Sequence, residues 1–317
     1  VETKDRLTNY YEAYDEEGRL ISKHGMVEYI TTMKYIEKYL KPNMRVLEIG
    51  AGTGRYSHAL AQKGYRVDAV ELVEHNIEIF KQNTIEGEPV TIKQGNAMDL
   101  SDFESDTYDI TLLLGPMYHL FTKEDQLKAL SEAIRVTKKG GIIFAAYCMG
   151  DASILSYGFI RGEIYNIIEK CKLNTETFDS FSNPWDIFEL YRKEDIDKLR
   201  SEFHVTQLHF IASDGYTNHM RETVDQMDDR MYDLYLKYHL ATCERQDMIG
   251  YSHHTLDIFR KRIEEININI QTAIIDDCEH IHPLQKGIAC LHHTGSISIF
   301  LVAYRSKQGN CMDSFPI

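Results

Sequence analysis

From about residue 26 the apolar positions fall into two alternating rhythms. Met26, Ile30, Met33, Ile36 and Leu40 recur at intervals of three and four, the spacing of one helix face, and Lys41-Pro42-Asn43 stops the pattern. Short apolar runs then follow at Arg45–Ile49, Arg66–Glu71, Val90–Gln94, Tyr108–Leu114 and Ile142–Tyr147. Helical patterns separate them at Tyr56–Lys63, His75–Asn83 and Lys123–Thr137. Tyr108–Leu114 reads as a strand buried on both faces. Lys138-Lys139-Gly140-Gly141 supplies a basic last turn and a glycine stop to the helix before it. Strand and helix in this alternation predict parallel pairing through right-handed crossovers, hence a doubly wound α/β sheet.

Beyond Tyr147 the rhythm changes. Lys193–Glu202 predicts a helix, Phe203–Ile211 a sixth strand, Met220–Thr242 one long helix and His253–Arg260 a seventh strand. Residues 150–191, with Gly158, Gly162, Pro184 and Trp185, predict an inserted cap over the mouth of the sheet, where ligands of open α/β folds bind. Ahead of the first helix, Tyr10, Tyr11 and Tyr14 form either the apolar side of another helix or a flap over a ligand. The main domain is expected to span residues 1–262, leaving 263–317 as a short C-terminal appendage. In that appendage Ile266–Ile275 reads as a strand, Cys278–His293 as a helix interrupted at Pro283, and Ile297–Tyr304 as a β-prone run that must be paired or covered.

One stretch carries chemistry: Val46-Leu47-Glu48-Ile49-Gly50-Ala51-Gly52-Thr53-Gly54-Arg55-Tyr56. A strand ends in a turn of alternating glycines, which lets backbone approach a ligand closely, and a helix N-terminus follows with unpaired N–H groups. A Walker-type phosphate loop is excluded, because no Gly-Lys-Ser/Thr follows. A dinucleotide fingerprint places its third glycine three residues after the second; here the glycines stand at 50, 52 and 54, with Glu48 directly before them.

These residues resemble the first motif of the class I S-adenosylmethionine-dependent methyltransferases. Val70-Glu71-Leu72, Asn96-Ala97 and Lys139-Gly140-Gly141 fall at the family's later landmarks. Leu114-Gly115-Pro116-Met117-Tyr118-His119-Leu120 is similar to the segment after strand four in a small-molecule-like bacterial branch. The resemblance covers roughly residues 10–260. It implies a Rossmann-like, mostly parallel seven-stranded sheet and S-adenosyl-L-methionine as methyl donor. It also implies roles: Glu71 for the ribose hydroxyls, Glu48 and the Gly50–Gly54 backbone for the methionine portion, and Asn96, in place of the usual Asp, for the adenine amino group. Leu72 and Ala97 would flank the adenine, with Ala51, Tyr56 and Leu114 completing the pocket. The appendage faintly resembles the opening strand and helix of an N-acetyltransferase domain, but no glycine-bearing pyrophosphate loop follows, so acetyl transfer is not expected.

Methyl transfer is an in-line displacement, and a base is needed only when the acceptor must lose a proton. His119, with Tyr118 beside it, is the candidate for that role; the alternative is packing against the donor or capping the next helix. Tyr10, Tyr11, Tyr14, His24 and Trp185 are candidates for the acceptor pocket. Composition narrows the rest. The net charge of −14 argues against a phosphate-backbone partner, and no Asn/Asp-Pro-Pro-aromatic sequence for a flipped base is present. No apolar run reaches the length of a membrane span, and six scattered cysteines suit reduced thiols, so a cytoplasmic protein is expected. His253-His254 and His292-His293 are adjacent pairs whose side chains diverge in a strand, and no metal site is expected. Two functions remain: methyl transfer to a small-molecule acceptor, or a catalytically silent donor-binding protein, either with self-association as a homodimer.

Overall fold

The computed structural model describes residues 3–13, 21–183, 185–263, 269–274, 288–293 and 296–303, in two units, Val1–Arg262 and Ile263–Ile317. Unit one opens with helices α1 (Thr3–Ala13) and α2 (Lys23–Tyr39). It continues through β1 (Arg45–Ile49), α3 (Arg55–Gln62), β2 (Arg66–Glu71), α4 (Glu74–Asn83), β3 (Val90–Gln94) and β4 (Tyr108–Leu113). Next come α5 (Lys123–Val136), β5 (Thr137–Cys148), α6 (Lys193–Ser201), β6 (Val205–Ala212), α7 (Asp229–Thr242) and β7 (His254–Lys261).

The seven strands form one sheet in the order β3-β2-β1-β4-β5-β7-β6. Pairing is parallel except at β7, which runs antiparallel to both β5 and β6. This is the Rossmann-like, mostly parallel seven-stranded sheet that the resemblance implies. Alternation along the strands explains the apolar runs: Val46, Ile110, Leu112 and Phe144 enter one core layer, while Leu47, Ile49, Leu113 and Ile143 enter the other. The strand order reverses around β1, between β2 and β4, so a crevice opens at their carboxyl ends.

Two expectations are corrected in this unit. The long helix over 220–242 is broken: a short helix at Arg221–Asp225 ends, and the Asp228 side chain accepts the Met231 N–H at 2.8 Å to start α7 afresh. Aspartate competes for backbone N–H groups and so favours such an N-cap over a helix interior. Lys138-Lys139-Gly140-Gly141 is not a helix end but a bulge in β5, since Thr137 pairs with Tyr108 and Ile142 with Ile110. Gly140 supplies its left-handed turn (φ +80°), and Lys138 reaches Asp109 at 2.8 Å. Residues 150–191 contain short helices at Gly150–Ser153 and Ile164–Glu169 around a π-helical stretch, Ile154–Ile160.

Unit two holds β8 (Asn269–Ile274), β9 (Ile288–His293) and β10 (Ser296–Ala303). β10 is central, parallel to β8 and antiparallel to β9. The helix expected over 278–293 is therefore a strand at its described end, where Ile288–His293 ladders with Ser296–Leu301. Residues 278–287 lie outside the described residues. No helix among the described residues is long and apolar enough to cross a membrane.

Candidate active site

The site is built at the end of β1. The turn is stitched to β2 by the Gly50 and Ala51 N–H groups, which donate to the Val70 carbonyl at 2.8 and 3.0 Å. Gly50 (φ +74°) lies where an added Cβ would meet Pro116 Cδ at 2.6 Å, so only glycine admits the segment after β4. Gly54 (φ +93°) would place a Cβ 2.5 Å from Phe80 and 2.7 Å from His58. Gly54 thus brings α3 against α4 and does not line the crevice, in contrast to the ligand contact expected of it.

The crevice is a cavity of about 880 Å³. Glu48, Gly50, Ala51, Gly52, Tyr56, Glu71, Leu72, Asn96, Ala97 and Leu114 all line it. Burial pushes the Glu48 carboxyl up to about 8, opposed by hydrogen bonding from the Ser57 hydroxyl and reinforced by the Glu71 charge. Glu71 accepts the Gly52 N–H at 2.8 Å and the Val73 N–H at 2.9 Å, which fixes its carboxylate plane within the turn. Burial raises its pKa too, against those backbone hydrogen bonds. The Asn96 amide oxygen accepts the Met98 N–H at 3.0 Å, so one of its two lone pairs holds its own loop and one stays available.

His119 and Tyr118 also line the cavity, on the turn Pro116–His119 after β4. His119 Nδ1 faces the Ile187 carbonyl at 2.8 Å, and Nε2 faces the Tyr11 hydroxyl at 2.8 Å. A carbonyl only accepts, so Nδ1 carries the proton and Nε2 accepts from Tyr11. Burial pushes the His119 pKa down to about 4, opposed by the Ile187 hydrogen bond and aided by the Arg6 charge. The Tyr118 hydroxyl donates to the Leu114 carbonyl at 2.7 Å, so that group is engaged in holding its own turn.

The acceptor candidates separate. Tyr11 lines the cavity. Tyr10 packs edge-on against Tyr11 and Phe188 and does not line it. His24 is drawn away to Asp225, through Nδ1 at 2.7 Å and its backbone N–H at 3.0 Å. Trp185 is 74% exposed and outside the lining. Tyr14 lies outside the described residues. Leu7, Tyr29, Arg55 and Asn76 line the cavity without having been expected to. For Tyr29 the helical spacing of Met26–Leu40 is the nearest signal, since it places Tyr29 on a helix but not over the glycine turn.

Behind Tyr118, Glu28, Asp214 and His254 bring ligand-type atoms within 4.8 Å of one another. Burial disfavours charge on His254, but Glu28, Cys148 and Asp214 outweigh it and raise its pKa well above the ordinary value. A protonated imidazole has no lone pair for a metal, and Asp214 is already taken by Ser252, Asn218 and His254. The cluster is an ion-pair network joining α2 to β7.

Comparison with known proteins agrees with this geometry. Residues 46–141 match the family model described as a methyltransferase domain. The chain carries a methyltransferase domain at residues 46–141. The ubiquinone biosynthesis O-methyltransferase of Hydrogenovibrio crunogenus is 25% identical over 186 residues, covering 57% of this chain and 73% of that protein. The Bacillus subtilis protein YqeM, which bears a methyltransferase name, is 27% identical over 110 residues, covering 35% of this chain and 44% of that protein. The chain thus spans under half of one such relative and about three quarters of the other. A SAM-dependent methyltransferase structure from Thermotoga maritima shares the methyltransferase fold, with TM-score 0.50 at 17% identity, covering 82% of this chain and all of that one. The methyltransferase cofactor is S-adenosyl-L-methionine, and the residues fit it: two buried acids, Glu48 and Glu71, face one cavity together with Gly50 and Gly52 of the turn.

Proposed function

We propose that the chain transfers a methyl group from S-adenosylmethionine to a small-molecule acceptor held in the same cavity. The donor supplies a methyl carbon activated by a positive sulfur. Glu71 would take the ribose hydroxyls, and Glu48 the methionine ammonium. The N–H groups of the glycine turn would face the methionine carboxylate, with Asn96, Leu72 and Ala97 around the adenine. Leu7 and Tyr11 of α1 line the cavity, which supports an acceptor enclosed away from water.

The observation that carries the reading is that Glu71 and His119 open onto one cavity from opposite sides of the strand-order reversal. His119 has a single atom able to accept a proton, Nε2, and Tyr11 now fills it. An acceptor hydroxyl that takes Tyr11's place would hand its proton to Nε2 as its oxygen bonds the methyl carbon, while the carbon–sulfur bond breaks with its electron pair going to sulfur and S-adenosylhomocysteine leaves. A small acceptor also accords with the charge of −14, which disfavours a nucleic-acid backbone. The test is a labelled-methyl screen of phenols, carboxylic acids, amines and thiols with the whole chain. Label in one class supports the reading; tight donor binding with no labelled product in any class contradicts it.

A further inference from the structure

Arg55 is the first residue of α3, directly after the glycine turn, and it lines the cavity. Its guanidinium carbon lies 4.5 Å from the centre of the Tyr29 ring, which itself packs on Tyr56. One terminal nitrogen donates to the Met26 sulfur at 3.2 Å. Its Nε is buried with no hydrogen-bond partner. Among the described residues Arg55 has no ion-pair partner, in a chain with 49 acidic and 35 basic residues. Arg135, Arg192, Arg200 and Arg245 each hold a carboxylate.

The buried acids of the cavity are otherwise engaged: Glu48 takes the Ser57 hydroxyl and Glu71 takes backbone N–H groups. An aromatic face orients a guanidinium plane without using its N–H donors. Arg55 is therefore fixed by a ring and a soft sulfur, with terminal N–H groups left over beside a cavity that it lines. Those groups match a carboxylate, which can take two parallel N–H bonds from a guanidinium. We propose that Arg55 binds a carboxylate in this cavity, alone or beside the N–H groups of the glycine turn, an inference that rests on the methyl-donor reading. The carboxylate belongs either to the methionine portion of the donor or to the acceptor, and the chemistry is the same for both.

Two matched ligand pairs distinguish the sources by calorimetry on the whole chain. The first is S-adenosylhomocysteine against its decarboxylated analogue. The second is 4-hydroxybenzoate against 4-hydroxybenzamide, measured with and without saturating S-adenosylhomocysteine. Wild type is expected to prefer the carboxylate member of one pair by about ten-fold or more, the scale of a charge-assisted pair. Arg55→Met is expected to reduce that preference to about two-fold or less, while Arg55→Lys, which keeps charge but not the fork, falls between. Preference in the first pair assigns the donor carboxylate, and in the second an acceptor carboxylate. No carboxylate preference in either pair, or a preference unchanged in both variants, overturns the proposal. Arg55→Lys decides it if Arg55→Met does not fold. Failure to bind either nucleoside counts instead against the donor reading, and the benzoate pair on the unliganded chain still decides Arg55.

Discussion

The Tyr11 hydroxyl donates to Nε2 of His119 at 2.8 Å, across 108 residues of sequence, while Nδ1 of the same ring donates to Ile187. The imidazole is held neutral in one tautomer, with its basic nitrogen capped by a phenol from α1. His119→Gln keeps a polar side chain but removes the base. With an acceptor that must lose a proton, kcat is expected to fall by about 100-fold or more while donor affinity changes little. An unchanged kcat would assign His119 to packing.

The same burial makes a pH prediction. The His119 pKa is pushed down to about 4, mainly by burial, below the ordinary value of about 6.5. The unfolded chain therefore binds more protons between those values. Stability is full above about pH 6.5 and declines as pH falls toward 4. His253, also buried and pushed down to about 4, acts in the same direction. Histidine ring signals followed by NMR should show His119 neutral at pH 6; a charged ring there contradicts the assignment.

Glu48 titrates the opposite way round. With its carboxyl pushed up to about 8 by burial, the ligand-free protein holds a proton there at neutral pH. Pairing with the methionine ammonium requires the carboxylate, so donor binding should release a proton and tighten as pH rises from 6.5 to 8.5. Calorimetry in buffers of different ionisation enthalpy reads the release directly. Glu48→Gln should abolish both the release and the pH dependence.

Gly54 and Gly64 separate backbone strain from packing. Both have left-handed φ, +93° and +88°, but an added Cβ at Gly64 meets nothing within 4 Å, while at Gly54 it meets Phe80 and His58. Gly64→Ala should cost about 1 kcal/mol from conformation alone. Gly54→Ala should cost about 2 kcal/mol more, because α3 must move off α4. Urea denaturation compares them, and equal losses would contradict the packing role.

The Asp214–His254 pair, 2.8 Å apart beside Tyr118, gives a fifth expectation. Burial pulls the Asp214 carboxyl up, but His254 and Ser252 outweigh it and hold it well below the usual carboxylate range. The Asp214 contribution is present above about pH 3.9 and lost as pH falls through its lower folded value. The raised His254 contributes fully below about pH 6.5 and loses its share as pH rises through its folded value. Asp214→Asn, which leaves a buried imidazolium short of a partner, should destabilise by about 3 kcal/mol or more. A thermal-shift series across pH checks the size and both limbs.

Much of the sheet is legible in the sequence because the strands of the crossover units are bounded by glycine, proline or polar turns, and β1 and β4 are buried on both faces. The glycine turn and Glu71 are legible because close backbone approach restricts residue type. Asp228 and the Thr137–Ile142 bulge are not, since an N-cap inside an apolar pattern and a strand irregularity leave the periodicity nearly intact. The cavity wall is legible only in part. Tyr11 and His119, or Arg55 and Tyr29, meet through tertiary packing that no local spacing encodes. His24 and Trp185 show the converse, residue types suited to a pocket that the fold turns toward Asp225 and toward solvent.

The central claim is that the turn from Glu48 to Gly54, with Glu71, binds S-adenosylmethionine. Isothermal calorimetry of the whole chain with S-adenosylmethionine and S-adenosylhomocysteine tests it most directly. One site per chain for both ligands, weakened about ten-fold or more by Glu71→Ala, is the result expected. Absence of binding by both ligands to the folded wild-type chain would contradict it.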